Sequence, residues 1–215
     1  MGFSRHGMAV AALVLLLPIG AARGAEPEPC FTPGDDCTGV ILREIGRAGS
    51  AIMVQAYLFT STPIARALLD AHKRGVKVTA VLDASNGTDR YTAADFLANQ
   101  GIRTLLDGEH NIAHNKVIVI DRAVVITGSF NFTRSAQDAN AENLIVLRSK
   151  PVAEAYARNV EAHIAHSRPY EGRGARGSAP DRPWARGQRD WSQRDWSQRD
   201  GWPRDRSREP RELQR

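Results

Sequence analysis

The chain has 215 residues and a formal net charge of +5, which is unevenly distributed. Residues 167–215 contain 13 arginines against 8 acidic residues, so they carry the whole positive excess, and they also hold all four tryptophans. The overall positive charge therefore does not indicate that residues 1–166 bind nucleic acid.

The first 25 residues have the layout of a secretory signal peptide. Two basic residues precede an apolar run over residues 8–19, and small residues follow it. The run is shorter than the roughly 20 residues that a membrane-spanning helix needs, and a retained membrane anchor is the alternative. We expect cleavage between Ala22 and Ala25 and a periplasmic or secreted location.

Cys30 and Cys37 are the only cysteines in the sequence. In an exported chain a disulfide between them is favoured over a metal pair or free thiols. The bond would contribute about 2–3 kcal/mol to stability by closing a short loop. It would also hold the mature N-terminus against the first helix.

After a Pro- and Gly-rich lead-in over residues 26–36, helical and strand patterns alternate. The predicted helices cover 39–48, 64–74, 92–100 and about 149–167, and the predicted strands cover 51–59, 77–83, 102–106, 117–120, 124–126 and 144–147. This order predicts an α/β domain with a mixed β-sheet flanked by helices on both faces. We place the domain at residues 26–166.

Residues 167–215 are polar and contain a five-residue repeat, Arg-Asp-Trp-Ser-Gln. Such a composition cannot bury enough apolar surface to offset the entropy of ordering, so this tail is predicted to be disordered. Its Arg and Trp side chains suit contact with nucleic acid or with an anionic envelope surface. A solvated tail without a partner is the alternative.

The residues with chemical potential lie around the predicted hairpin of strands 117–120 and 124–126. Alternation along the first strand places His114 and Lys116 on the same face. Gly128 ends the second strand, and Ser129 and Asn131 follow it in a loop. An imidazole, an ammonium, a hydroxyl and an amide would thus meet at one place, which suits an anionic group.

The spacing of these residues is characteristic: His114-x-Lys116-x4-Asp121, then Gly128-Ser129-x-Asn131, with Glu142 downstream. Together they resemble the HKD signature of the phospholipase D superfamily. More narrowly, residues 31–166 resemble small bacterial endonucleases of that superfamily with one motif per chain, above all at 55–61 and 128–133. The alternative is an ordinary strand whose His and Lys face solvent.

The resemblance implies phosphodiester hydrolysis through a phosphohistidine, without a metal or another cofactor. A neutral imidazole can attack an anionic phosphodiester, so His114 is the predicted nucleophile and Glu142 its orienting carboxylate. Lys116, Ser129 and Asn131 are predicted to bind the phosphate oxygens. The catalytic set that the resemblance implies is His114, Lys116, Asp121 and Glu142. The position of Asp121 at the far end of the strand indicates a structural, charge-pairing role.

A second acid is needed to protonate the leaving oxygen. Because the sequence has one motif, the resemblance implies a homodimer that pairs two copies of His114 across a two-fold axis. We predict no metal site, since His110 and His114 flank a loop-to-strand junction rather than share a helix. His163 and His166 are predicted to lie on the surface.

The sequence therefore predicts an exported phosphodiesterase, in the first place a nonspecific endonuclease acting on DNA and potentially on RNA. A phospholipase D-type lipid hydrolase is the first alternative. The second is a module that binds nucleic acid or the envelope with weak or no catalysis.

Overall fold

The computed structural model of the chain describes residues 26–89 and 92–173. The predictions of a signal peptide over residues 1–25 and of disorder beyond residue 173 lie outside the described residues. Within these ranges, no helix combines the length and the apolar character needed to cross a bilayer.

The described residues form one mixed β-sheet. Its strands are β1 (Glu28–Thr32), β2 (Ala51–Ala56), β3 (Lys77–Asp83), β4 (Arg103–Asp107), β5 (Lys116–Ile120), β6 (Val124–Gly128), β7 (Glu142–Arg148) and β8 (Arg168–Pro169). They lie in the order β1-β7-β6-β5-β2-β3-β4-β8. β2, β3 and β4 are parallel neighbours, and all other pairs are antiparallel. The predicted mixed sheet is confirmed.

Helices cover both faces of this sheet, as predicted. They are α1 (Cys37–Arg47), α2 (Thr62–Lys73), α3 (Ala93–Asn99), α4 (Arg134–Asp138) and α5 (Lys150–His166). Ile118 and Ile120 of β5 join the core formed with α1, α2 and α3, whereas Val117 and Val119 join the core beneath α5. Because β5 is covered on both sides, all five of its residues are buried, including Lys116.

The N-terminal lead-in differs from the prediction because part of it forms an edge strand. β1 pairs antiparallel with β7, from Glu28 opposite Val146 to Thr32 opposite Glu142. The predicted disulfide is confirmed, since Cys30 in β1 is bonded to Cys37 at the start of α1. Pro29 weakens the local strand signal, but proline is tolerated on an edge strand and here the pairing with β7 prevails.

The predicted domain boundary at residue 166 is wrong, because the folded chain continues to Arg173 at least. β8 pairs with β4, and Tyr170 is buried with its hydroxyl donating to Asp95 Oδ1 at 2.7 Å. Arg173 Nε donates to the other Asp95 oxygen at 2.7 Å. One aromatic ring and one carboxylate anchor this segment. Two such residues do not stand out in a stretch of polar composition, so the sequence did not reveal that the segment folds.

Candidate active site

The structure brings His114 and Lys116 together where the chain enters β5. His114 is exposed, whereas Lys116 is only 7% exposed and its Nζ donates to the His114 carbonyl oxygen at 2.9 Å. The Tyr57 ring lies 4.7 Å from the His114 ring between centroids, and its centroid is 5.3 Å from Lys116 Nζ. Tyr57 is therefore the rim aromatic of this site, in contact with both predicted catalytic groups.

Burial and charge favour opposite protonation states for the two groups at neutral pH. Burial lowers the pKa of Lys116 from 10.5 to about 8, although the charge of Glu142 raises it. Burial and then the Lys116 charge lower the pKa of His114 below its usual 6.5, and Asp83 opposes this shift. At pH 7 the imidazole is thus mainly neutral and able to act as a nucleophile, while the ammonium remains charged.

Glu142, the first residue of β7, is held by groups other than His114. Ser129 Oγ donates to Glu142 Oε2 at 2.6 Å, and Asn140 Nδ2 donates to Oε1 at 2.9 Å. The Ser129 oxygen in turn accepts from the Asn143 amide at 3.0 Å. In the described part of this single chain the His114 ring makes no hydrogen bond, so the predicted bond to Glu142 is not formed within one subunit.

Asn131 lies in a loop fixed by the two buried rings of Phe130 and Phe132. The Phe132 carbonyl accepts from the amides of Thr60 and Ser61, each at 2.9 Å. The Asn131 side-chain oxygen is buried without a partner among the described residues. An unpaired buried acceptor destabilises a fold unless a donor reaches it, so the Asn131 oxygen is open to an incoming hydrogen-bond donor. Contact with a phosphate oxygen would use the Nδ2 donor of the same amide.

Asp83 is a site residue that the sequence analysis missed. It ends β3, is 7% exposed, and accepts from the Ala113 amide at 2.8 Å. Its other oxygen accepts from the amide and hydroxyl of Ser85, at 3.0 and 2.7 Å. Asp83 thus fixes the residue before His114. A polar residue at the carboxyl end of an apolar parallel strand was the available signal.

Asp121 does not join this site, because it follows the opposite end of β5. Its carboxylate accepts from the amides of Gly49, Ser50 and Ala51, each at 2.8 Å, and from the Ser50 hydroxyl at 2.7 Å. Burial raises its pKa, but these bonds outweigh that effect and lower the pKa to about 2. These contacts are those of a structural residue, and the partners are neutral groups rather than the charged partner that the sequence predicts.

We expect Asp121→Asn to reduce the free energy of unfolding by about 1–2 kcal/mol at pH 7, because an amide turns one acceptor into a donor against the Gly49 amide. The folded pKa lies below the ordinary 3.8, so the charge stabilises the fold above about pH 4 and this contribution is lost as the pH falls toward 2. Urea unfolding at pH 7 and pH 3 should therefore show a smaller difference from wild type at pH 3.

The matched control is Asp138→Asn, which removes a carboxylate from an exposed ion pair with Arg134. It should change the free energy of unfolding by less than about 0.5 kcal/mol. Cleavage by folded Asp121→Asn should stay near the wild-type rate. A large loss at a temperature where the variant is folded would return Asp121 to the catalytic set.

The prediction that His163 and His166 are surface residues is wrong for His163. Its side chain is 13% exposed, and its Nδ1 lies 2.6 Å from Oδ2 of Asp107. His166 and His110 also contact Asp107. Burial raises the pKa of Asp107, but the hydrogen bonds from the histidines and the Glu109 amide outweigh it and lower the pKa. Asp107 precedes His163 by 56 residues, so sequence spacing did not reveal this cluster.

Comparison with known proteins agrees with this arrangement. Residues 41–164 match the family model described as "Cardiolipin synthase, PLD-like domain". A protein of Rickettsia felis named "Phospholipase D" is 45% identical over 130 residues, which are 60% of this chain and 65% of that protein. The human "Mitochondrial cardiolipin hydrolase" is 31% identical over 135 residues, 61% of this chain and 54% of that protein. The chain thus spans less than two thirds of the length of these relatives.

Solved structures that resemble this chain agree with the family match. Nuc from Salmonella typhimurium, described as a phospholipase D family member, is 35% identical with a TM-score of 0.65. The match covers 68% of this chain and 100% of Nuc. NucT from Helicobacter pylori is 20% identical with a TM-score of 0.64, and the match covers 67% of this chain and 99% of NucT. At this identity the match supports the fold alone. By its family model, its relatives and its fold, the chain belongs to the phospholipase D superfamily.

Proposed function

We propose that this chain is an exported phosphodiesterase that needs no metal for its chemical step and acts on nucleic acid as a nonspecific endonuclease. The observation that carries the proposal is the pairing of His114 with Lys116. The imidazole is exposed and its pKa is lowered, while the ammonium beside it is buried with a pKa of about 8. A neutral nucleophile next to a fixed cation suits attack on an anionic phosphodiester.

In the first step a His114 ring nitrogen forms a bond to phosphorus as the bond from phosphorus to the leaving oxygen breaks. A second acid gives its proton to that oxygen. Lys116 and Asn131 stabilise the charge on the non-bridging oxygens. In the second step water attacks the phosphohistidine, its proton passes to the base left by the first step, and the imidazole is restored.

The second acid is best supplied by another copy of the chain. The Tyr57 hydroxyl is a poor proton donor, because burial and the charges of Asp83 and Asp89 raise its pKa. Lys116 is engaged with the His114 carbonyl oxygen. A second His114, facing the first across a two-fold axis and protonated when the anionic phosphodiester is bound, would complete the site. Glu142 of one subunit would then orient the His114 ring of the other subunit.

Whether two subunits share one active site can be tested by mixing wild type with His114→Ala and then unfolding and refolding the mixture. If heterodimers are inactive, activity at fixed total protein should follow the square of the wild-type fraction. Plasmid nicking measures the activity, and size exclusion with light scattering confirms the dimer in each mixture. Activity that is linear in the wild-type fraction would contradict the shared site.

Nucleic acid is proposed as the substrate because residues 55–61 and 128–133 resemble the single-motif endonucleases of the superfamily. A lipid phosphodiester is the second candidate, supported by the relatives named "Phospholipase D" and "Mitochondrial cardiolipin hydrolase". Nicking of supercoiled plasmid in EDTA, run beside headgroup release from phosphatidylcholine and cardiolipin vesicles, tests both. Lipid cleavage without nicking would select the second candidate.

Export is proposed from the leader pattern and from the Cys30–Cys37 disulfide, because disulfides persist in oxidising compartments. We also propose that the Arg- and Trp-rich sequence beyond residue 173 contacts nucleic acid or an anionic envelope surface.

A further inference from the structure

Three histidines surround one buried carboxylate where β4 ends beside the last turn of α5. The Asp107 side chain is fully buried. Its Oδ2 lies 2.6 Å from Nδ1 of His163 and 3.3 Å from Nε2 of His166, and its Oδ1 lies 3.3 Å from Nδ1 of His110. One ligand atom from each of the four residues can be chosen so that all lie within 4.8 Å of one another.

The cluster is built from two pairs of residues three apart in sequence. Asp107 is the last residue of β4, and His110 lies in the segment after it. His163 and His166 lie on one side of α5. The three imidazole centroids are between 5.0 and 5.4 Å apart. Three imidazolium ions at this spacing would repel one another, whereas a neutral ring can direct a lone pair at a shared cation once its proton lies on its other nitrogen.

We propose that Asp107, His110, His163 and His166 bind one Zn²⁺ ion as a structural site. Three imidazoles and one carboxylate suit zinc, whereas Mg²⁺ and Ca²⁺ prefer ligand sets made of oxygen. Four protein ligands fill a tetrahedral shell and leave no open position for a reacting molecule, which is the pattern of a structural site.

The present geometry needs only small side-chain movements to reach zinc coordination. Bonds of about 2.0–2.1 Å in a tetrahedron place ligand atoms roughly 3.3 Å apart. With Asp107 Oδ2 as the ligand atom, the 3.3 Å contact of His166 already has this separation and the 2.6 Å contact of His163 must open. His110, whose 3.3 Å contact is with the other oxygen, Oδ1, must turn toward Oδ2. The side chains of His110 and His166 are 46% and 32% exposed, so they have room to rotate.

Zinc at this place would tie α5 to the segment that leads into the active site. That segment runs from Asp107 through His110 to Ala113, whose amide Asp83 fixes, and then to His114. The four ligands are none of the groups assigned to phosphate chemistry. The ion therefore stabilises the domain and takes no part in the chemical step, and the proposal does not rest on the proposed function.

The test uses the untagged full chain, stripped with EDTA and then freed of chelator, because a polyhistidine tag would bind zinc itself. Elemental analysis after gel filtration with Zn²⁺ should give one ion per chain. Saturating Zn²⁺ should raise the melting temperature by about 5–10 °C at 100 times the dissociation constant. Mg²⁺ and Ca²⁺ should leave it unchanged, and Co²⁺ should give the visible absorption of a tetrahedral site.

His110→Ala and His166→Ala remove the two more exposed ligands, so both variants should fold. Each should weaken zinc affinity by at least about tenfold and reduce the zinc-dependent rise in melting temperature. His72→Ala, which removes a half-buried histidine from α2, is the control and should keep the full response. Wild type without stoichiometric zinc, or an unchanged response in both ligand variants, would overturn the proposal.

Discussion

Replacing His114 by alanine should lower phosphodiester cleavage by on the order of 10⁴-fold or more, because the reaction loses its nucleophile. The fold should remain intact. The His114 side chain is exposed, and its ring lies in a tilted arrangement against the Tyr57 ring. Lys116 donates to the backbone carbonyl of residue 114, which alanine retains. The free energy of unfolding should change by no more than about 0.5–1 kcal/mol.

Plasmid nicking in EDTA and urea unfolding measure these two effects on the same preparation. His72→Ala is the matched control, since it also removes a histidine but lies on α2, and it should cleave at the wild-type rate. Quenching of wild type during turnover with denaturant at alkaline pH, where the phosphorus–nitrogen bond of phosphohistidine survives, should trap protein-bound phosphate that His114→Ala lacks. Cleavage within about tenfold of wild type would remove His114 from the role of nucleophile.

The catalytic hairpin was predictable because its signals are local. Residues 117–120 of β5 are apolar and β-branched, as suits a strand that is buried on both faces. Residues 121–123 between β5 and β6 leave room only for a tight turn. The alternation that places Lys116 on the face of Ile118 follows from strand geometry alone. Phe130 and Phe132, the two apolar residues beside Asn131, are both buried and hold its loop in place.

The features that the sequence did not reveal depend on partners distant along the chain. β1 and β8 are strands because β7 and β4 offer them free edges, not because of their own composition. Asp83 acts on Ala113, and Asp107 gathers histidines from its own loop and from α5. For both aspartates the local signal is a single polar residue at the end of a strand. Such residues are also common in loops that have no function.

Ser129 illustrates a role that spacing identified only in part. Its place after Gly128 indicated a phosphate contact, yet its hydroxyl donates to Glu142 and accepts from the Asn143 amide. In this arrangement Ser129 orients the carboxylate at the start of β7. The close approach of β6 and β7 that permits it depends on the glycine before Ser129.

Gly128→Ala should lower the free energy of unfolding by about 2–5 kcal/mol, the second large effect that the structure predicts. Gly128 has a φ of +149°, and a Cβ there would lie 2.3 Å from the Asn143 carbonyl oxygen. That oxygen is held in place by the amides of Ser129 and Phe130, at 3.0 and 3.2 Å. The clash is therefore with backbone that cannot move without breaking the β6–β7 register.

Gly46→Ala is the matched control, because a Cβ at this position of α1 would meet no atom within 4 Å. It should stabilise the fold by about 0.5–1 kcal/mol, since alanine reduces the freedom of the unfolded chain. Urea unfolding of both variants separates a clash from a general effect of added methyl groups. Any Gly128→Ala protein that folds should also cleave more slowly, because Ser129 and Asn131 must shift with the backbone. Wild-type stability in Gly128→Ala would mean that β6 and β7 do not approach as described, and the assigned positions of Ser129, Asn131 and Glu142 would then be wrong together.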